Sequence, residues 1–110
     1  MICSTNMTAL RLAVMLKRSG KARARISEKT LRIVSRRTFL RDAFVVELRG
    51  ILEELGIVLV RIPRGGFVLI TIASLEGAPP ITARAHPEVR RMDQRDLEIE
   101  LALDDPDDEE

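Results

Sequence analysis

Residues 57–72 read IVLVRIPRGGFVLITI, two apolar runs rich in β-branched residues and separated by Pro-Arg-Gly-Gly. β-Branched side chains favour strands because they pack well on a pleated surface. In the connecting segment, proline fixes φ and glycine accepts the positive φ that tight turns need. The stretch therefore predicts a β-hairpin. Both faces of each run are apolar, so we expect a further element or a second copy of the chain to cover the face turned away from the core.

The segment before the hairpin predicts a helix that begins after Thr38, a suitable N-cap, and ends at Gly56. Its core side is marked by apolar residues at helical spacing, namely Leu40, Phe44, Leu48, Ile51 and Leu55. A second stripe of small and apolar residues consists of Phe39, Ala43, Val46 and Gly50. We expect this second stripe to pack against protein and to form an interface.

The N-terminal part of the chain predicts a helix over residues 8–19, with apolar residues at positions i, i+3, i+4 and i+7. Leu10 and Val14 widen the apolar face and predict that the helix is largely buried. Residues 1–7 show no such pattern, and we expect them to be disordered.

The next segment predicts a strand and a short helix. Residues 21–26 alternate basic with apolar side chains, which is typical of a strand. Ser27 is a good N-cap, and Glu28 is favourably placed in the first turn of the helix that follows. A second helix is therefore predicted over about residues 28–34.

Residues 74–103 form a C-terminal extension of different composition. Glycine and prolines indicate a loop over residues 74–86, and residues 87–94 are compatible with a helical turn. Residues 97–103 alternate apolar side chains with glutamate or alanine, which predicts a half-buried strand that packs on the hairpin or on a dimer partner. The acidic residues 104–110 predict a disordered tail.

Charge is distributed unevenly along the chain. Residues 1–95 carry all 18 Lys and Arg with 8 Asp and Glu, whereas residues 96–110 carry 9 acids and no base. Between residues 11 and 41 there are 11 basic residues and a single acid, Glu28. Such asymmetry points to a polyanionic partner such as nucleic acid, although a merely solvated basic surface has the same composition. The acidic tail either aids solubility, competes with nucleic acid for the basic surface, or docks onto a basic partner.

The predicted order over residues 8–73 is helix, strand, helix, turn, helix and hairpin. This arrangement resembles the winged helix-turn-helix superfamily, an α+β fold of three helices with a C-terminal hairpin wing. The resemblance is carried by residues 33–40 as the turn, residues 48–56 as the end of the third helix, and residues 57–72 as the wing. No particular family within the superfamily is indicated.

The resemblance implies that duplex DNA meets the turn, the start of the third helix and the tip of the wing. The residues at the DNA would be Arg36, Arg37, Thr38 and Arg41, with Lys29 and Arg32 on the sugar-phosphate backbone and Arg64 at the wing tip. A small transcriptional regulator, cytoplasmic and associated with the nucleoid, is the expected function, and a homodimer would fit the reading of two half-sites.

The second stripe favours a different function. Asp42 and Glu53 lie near Val46, and two carboxylates beside exposed apolar side chains suit phosphate poorly. The alternative is a winged-helix protein-interaction module, an adaptor or inhibitor of a nucleic-acid machine, that uses this apolar face and the acidic tail. Binding of RNA ranks below both, because stacking aromatics are scarce.

Catalysis is not expected. His86 is the single histidine, and Cys3 is the single cysteine with no partner nearby in sequence to activate it. Neither a zinc-ligand spacing, a P-loop nor a dinucleotide-binding glycine pattern occurs. We therefore expect no metal and no cofactor. No apolar run approaches the roughly 18 residues that a membrane span needs, so a membrane partner is not expected either.

Overall fold

The structure, a computed structural model, describes residues 2–102, and the described chain forms two compact units that divide between Ala78 and Pro79. The first unit is an α+β fold. In chain order its elements are α1 (Thr5–Ser19), β1 (Arg23–Ile26), α2 (Glu28–Ser35), α3 (Asp42–Glu54), β2 (Ile57–Arg61), β3 (Phe67–Thr71) and α4 (Ile72–Glu76).

The three strands form an antiparallel sheet in the order β1-β3-β2. The predicted hairpin of β2 and β3 is confirmed, with Leu59 opposite Leu69. On the other side of β3, Ala24 of β1 is also opposite Leu69. Because β1 is added to the hairpin from a distant part of the sequence, the sheet ties the N-terminal helices to the C-terminal half of the unit.

The core of the first unit is almost entirely aliphatic. Its fully buried side chains are Leu12 of α1, Leu31 of α2, Leu48 and Leu52 of α3, and Leu59, Phe67 and Leu69 of the sheet. Burial of each such side chain stabilises the fold by about 1.5–3 kcal/mol. The apolar sides of the three helices and the inner face of the hairpin therefore pack together in one core.

The N-terminal end of α1 corrects, for residues 2–7, the prediction that residues 1–7 are disordered, and it corrects the prediction that the helix begins at Thr8. The helix begins at Thr5, because the side chain of Ser4 accepts a hydrogen bond from the backbone N–H of Met7 at 3.0 Å. The backbone N–H of Cys3 donates to the carbonyl of Ser35 at 3.0 Å. This first segment is thus held against the end of α2.

The start of α3 also differs from the prediction. The helix begins at Asp42 after Arg41 as N-cap, and Thr38 does not cap it. Leu40 packs against the core from the non-helical connection, as a partly buried side chain. Leu40 therefore contributes to the core although its backbone is not helical. The connection from residue 36 to residue 41 turns the chain between α2 and α3.

The outer face of the sheet is apolar, as the hairpin sequence predicts. Val58 and Val60 of β2 lie opposite Ile70 and Val68 of β3. These side chains lie on the face opposite the buried Leu59–Leu69 pair, and Val60 is 42% exposed. On β1, arginines occupy the corresponding positions, so the apolar strip is flanked by basic side chains.

The second unit is described from Pro79 to Ala102 and contains two short 3₁₀ turns, Ala83–Ala85 and Val89–Arg91, followed by α5 (Gln94–Leu101). The predicted strand over residues 97–103 is wrong, since most of this segment is helical. The side chain of Asp93 accepts a hydrogen bond from the backbone N–H of Asp96 at 2.8 Å. A helix satisfies its own backbone, whereas a strand needs a partner. The predicted tail, residues 104–110, lies outside the described residues.

Candidate nucleic-acid interface

Residues 36–41, the α2–α3 turn, connect α2 to α3. The turn surrounds a surface hollow of about 600 Å³. The lining residues are Ile2, Arg36, Arg37, Thr38, Phe39 and Arg41. The structure therefore brings together four of the residues predicted at the DNA, and it adds Phe39, which the sequence assigned to a protein interface.

The turn begins with Arg36 in the left-handed conformation, with φ of 57°. The backbone N–H of Arg36 donates to Ile33 at 3.2 Å, and that of Arg37 donates to Arg32 at 3.0 Å, so the last carbonyls of α2 are satisfied. Glycine is the residue that adopts this conformation without steric cost. An arginine at this position places a charged side chain in the turn, where a glycine would make the fold more stable.

The three arginines of the turn have different surroundings. The Arg37 guanidinium lies 4.0 Å from the centroid of the Phe44 ring and donates to the carbonyl of Cys3 at 3.3 Å. Its Nε is buried and has no hydrogen-bond partner within residues 2–102. Arg36 and Arg41 are exposed, and in the same described range their side chains make no hydrogen bond or ion pair. Arg36 and Arg41 are therefore the cations that are available to a ligand.

The remaining predicted DNA contacts lie outside the hollow. Lys29 is exposed on α2, whereas Arg32 is half-buried and lies 3.9 Å from the Glu28 carboxylate. Arg64 is exposed in the hairpin turn, where the backbone N–H of Gly65 donates to the carbonyl of Ile62 at 2.9 Å. These bases add positive charge to the unit without joining the cluster of the turn.

The exposed side of α3 is poor in positive charge. Its one basic residue, Arg49, donates to the backbone carbonyl of Leu59 at 3.1 Å. Glu47 accepts a hydrogen bond from the Thr5 hydroxyl at 2.7 Å. The exposed residues of the helix include Asp42, Ala43, Val46, Glu47, Gly50, Glu53 and Glu54. The exposed side of α3 therefore carries mainly negative charge, in contrast to the basic turn before the helix.

The predicted interface stripe is divided by the late start of α3. Ala43, Val46 and Gly50 share the exposed side of the helix, and Val46 is 62% exposed. Phe39 precedes the helix and lines the hollow, so it does not belong to the helical stripe. This corrects the placement of Phe39 on the helical stripe, because the stripe assumed helical backbone from residue 39 onward; its role in an interface stays a prediction.

A groove that the sequence did not predict runs along α1 and the end of α2, with a volume of about 650 Å³. Its lining includes Met7, Leu10, Val14, Met15 and Ile33. The prediction that Leu10 and Val14 are buried is wrong, since they are 43% and 46% exposed. They point away from the side of α1 that carries Ala9, Leu12 and Leu16. This separate apolar face was the signal in the sequence that could have identified the groove.

No protein-family model, curated protein or solved structure matches this chain. None of the helices in residues 2–102 is long and apolar enough to cross a membrane. Over the same residues, no group of three His, Cys, Asp or Glu side chains is placed to hold a metal ion. The basic turn and the exposed apolar surfaces are the features of the described chain that bear on its function.

Proposed function

We propose that this chain is a winged helix-turn-helix protein that binds duplex DNA and acts as a small transcriptional regulator. The observation that carries the proposal is the clustering of Arg36, Arg37, Thr38 and Arg41 around one hollow at the start of α3. The order of elements in the first unit agrees with the resemblance in sequence. Free guanidinium groups bind phosphate through paired hydrogen bonds.

The binding mode follows from the charges of α3. Arg36 and Arg41 would hold phosphates of the DNA backbone, and Lys29 and Arg64 would add further backbone contacts. The exposed side of α3 carries carboxylates, so contacts with base edges are limited to its N-terminal end. We expect binding that depends more on salt than on sequence, because each neutralised phosphate releases counterions.

A homodimer is part of the proposal. The apolar strip on the outer face of the sheet, formed by Val58, Val60, Val68 and Ile70, is the surface that a second copy would bury. Sedimentation of wild-type protein and of Val60→Lys tests this surface, with Val14→Lys in the α1 groove as a control of similar exposure. We expect a dimer that only Val60→Lys dissociates, and a wild-type monomer would contradict the dimer.

The test of DNA binding is a titration of a random-sequence duplex of about 30 base pairs with Arg36→Ala/Arg41→Ala. The control is Arg90→Ala/Arg91→Ala, which removes two exposed charges from the second unit. Loss of two phosphate contacts lowers the slope of log affinity against log salt by about 2. We expect this loss in the turn variant and little change in the control. Equal affinities of the two variants would contradict the site.

The exposed side of α3 favours a second candidate, a protein-interaction module. Val46 is 62% exposed between Ala43 and Gly50, a side without a free cation. Here the partner would be a protein, and the acidic C-terminal residues would mimic nucleic acid. Val46→Glu distinguishes the candidates: it should abolish protein complexes and leave duplex affinity unchanged, as measured by co-purification and by DNA titration. A complex that survives the substitution would exclude this surface.

A further inference from the structure

Phe39 is the one exposed phenylalanine of residues 2–102. The sequence has three phenylalanines and neither tryptophan nor tyrosine. Phe44 and Phe67 are 6% and 0% exposed and belong to the core, whereas Phe39 is 71% exposed. Phe39 therefore presents a planar apolar ring to solvent, and the groups around it determine which ligand could pack on that ring.

The surroundings of Phe39 combine an apolar surface with positive charge. Ile2 lines the hollow beside it, and Arg36 and Arg41 lie in the same lining. Of the arginines that line the hollow, Arg37 packs on the Phe44 ring and not on Phe39. A ligand that matches this hollow carries negative charge together with a flat apolar face. An unpaired nucleotide has both, since its phosphates are anionic and its base is a planar ring.

We propose that the α2–α3 turn holds an unpaired nucleotide, with the base stacked on Phe39 and the neighbouring phosphates on Arg36 and Arg41. The inference rests on the proposed nucleic-acid binding and specifies its ligand as single-stranded or locally opened DNA. Inside a duplex both faces of each base are covered by its neighbours, so a duplex offers phosphates to the arginines but no ring face to Phe39. The carboxylates on the exposed side of α3 agree with this ligand, because that side of the helix offers no free positive charge to the groove of a duplex.

The test uses the full chain and two fluorescein-labelled oligonucleotides of mixed sequence, a 12-nucleotide single strand and a duplex of about 30 base pairs, in which nearly every base is covered on both faces. Affinities are measured by anisotropy at low salt for the wild type, Phe39→Ala, Phe39→Trp, Val46→Ala and Arg36→Ala/Arg41→Ala. Val46 is the matched control, since it is also apolar and 62% exposed but lies outside the hollow.

We expect Phe39→Ala to weaken binding of the single strand by roughly fivefold to a hundredfold, the range of base–aromatic stacking. Its duplex affinity and both affinities of Val46→Ala should stay within about twofold of the wild type. In Phe39→Trp the single-strand affinity is retained. The introduced tryptophan is the only one in the chain, so quenching of its fluorescence by the single strand reports stacking directly.

Three results would overturn the inference, and they differ in what they say of the proposed function. If Phe39→Ala binds the single strand as tightly as the wild type, and Phe39→Trp shows no quenching, stacking on Phe39 is rejected. In that case a loss of duplex affinity in Arg36→Ala/Arg41→Ala would still support the DNA-binding turn. Equal losses on both oligonucleotides in Phe39→Ala would mean that the ring inserts between base pairs of a duplex. Absence of binding to either oligonucleotide would reject both proposals.

Discussion

The guanidinium of Arg37 lies 4.0 Å from the centroid of the Phe44 ring, across the junction between the α2–α3 turn and α3. The same side chain donates to the carbonyl of Cys3 at 3.3 Å. One arginine thereby joins the N-terminal segment, the turn and the first turn of α3. Arg37 is thus a structural residue of the hollow, and within residues 2–102 Arg36 and Arg41 are the arginines of the turn whose guanidinium groups have no protein partner.

Substitution of Arg37 by alanine is expected to destabilise the first unit by about 1–2 kcal/mol, through loss of the cation–π contact and of the hydrogen bond to Cys3. Arg41→Ala removes the same charge from an exposed side chain and should change stability by less than about 0.5 kcal/mol. Urea denaturation of both variants measures the difference. If Arg37→Ala is as stable as Arg41→Ala, the contact with Phe44 contributes nothing.

Arg36→Gly is expected to stabilise the fold and to weaken nucleic-acid binding. Glycine relieves the left-handed backbone at φ 57°, and after its own entropy cost the gain is about 0.5–1 kcal/mol. Arg36→Ala is the control, since it loses the same charge but keeps the strained backbone. Thermal unfolding and duplex titration should show equal loss of binding in both variants, with higher stability only in Arg36→Gly. Equal stabilities would contradict the strain at this position.

Gly66→Ala is expected to destabilise the sheet by about 2 kcal/mol or more, because the residue has φ of +88°. A Cβ there would also lie 2.9 Å from the backbone carbonyl oxygen of Ile26, at the end of β1. Gly50→Ala is the matched control. Gly50 is exposed in α3 with nothing within 4 Å of an added Cβ, so this substitution should stabilise by about 0.5–1 kcal/mol. If denaturation curves show that both substitutions change stability in the same direction, the geometry of the hairpin turn at Gly66 is contradicted.

Neutralising the six acids of residues 104–110 is expected to strengthen DNA binding at low salt. The substitutions Asp→Asn and Glu→Gln keep the length of the chain and remove six negative charges from a protein whose residues 1–95 carry 18 bases and 8 acids. The gain should be several-fold at about 0.05 M salt and should diminish near 0.5 M, where exposed charges are screened. Titration at both concentrations measures it. A gain that is independent of salt would not be electrostatic.

Features of the fold that depend on neighbouring residues could be predicted from the sequence. Ser27 begins α2 as predicted, with its side chain accepting from the backbone N–H of Thr30 at 3.0 Å. The Pro-Arg-Gly-Gly segment forms the predicted hairpin turn, with positive φ at Gly65 and Gly66. In each case the groups that determine the structure lie within a few residues of one another.

Some of the errors concern features that are set by distant residues, and others concern a local helix cap that periodicity does not detect. Periodicity could not show that Leu40 packs from a non-helical connection, nor that α3 begins at Asp42. The alternation over residues 97–103 favoured a strand, because side chains two positions apart lie on opposite sides of a helix. The structure instead has α5, begun by the N-cap bond of Asp93, and no partner strand for this segment within the described residues. For the candidate site, the sequence placed Phe39 on a helical stripe, whereas in the structure it precedes α3 and lines the hollow with the basic residues of the turn.

By itself, the sequence determined the order of helices and strands from α1 to β3, including the hairpin, and the concentration of basic residues between positions 11 and 41, but it predicted a loop where α4 lies. The tertiary structure alone decided which of those bases are free to bind. Arg37 is held by Phe44 and by the carbonyl of Cys3, 34 positions away in the chain, while Arg36 and Arg41 stay exposed beside Phe39. Helix caps and turns are governed by local backbone chemistry, whereas the exposure of a side chain depends on which distant segment packs against it.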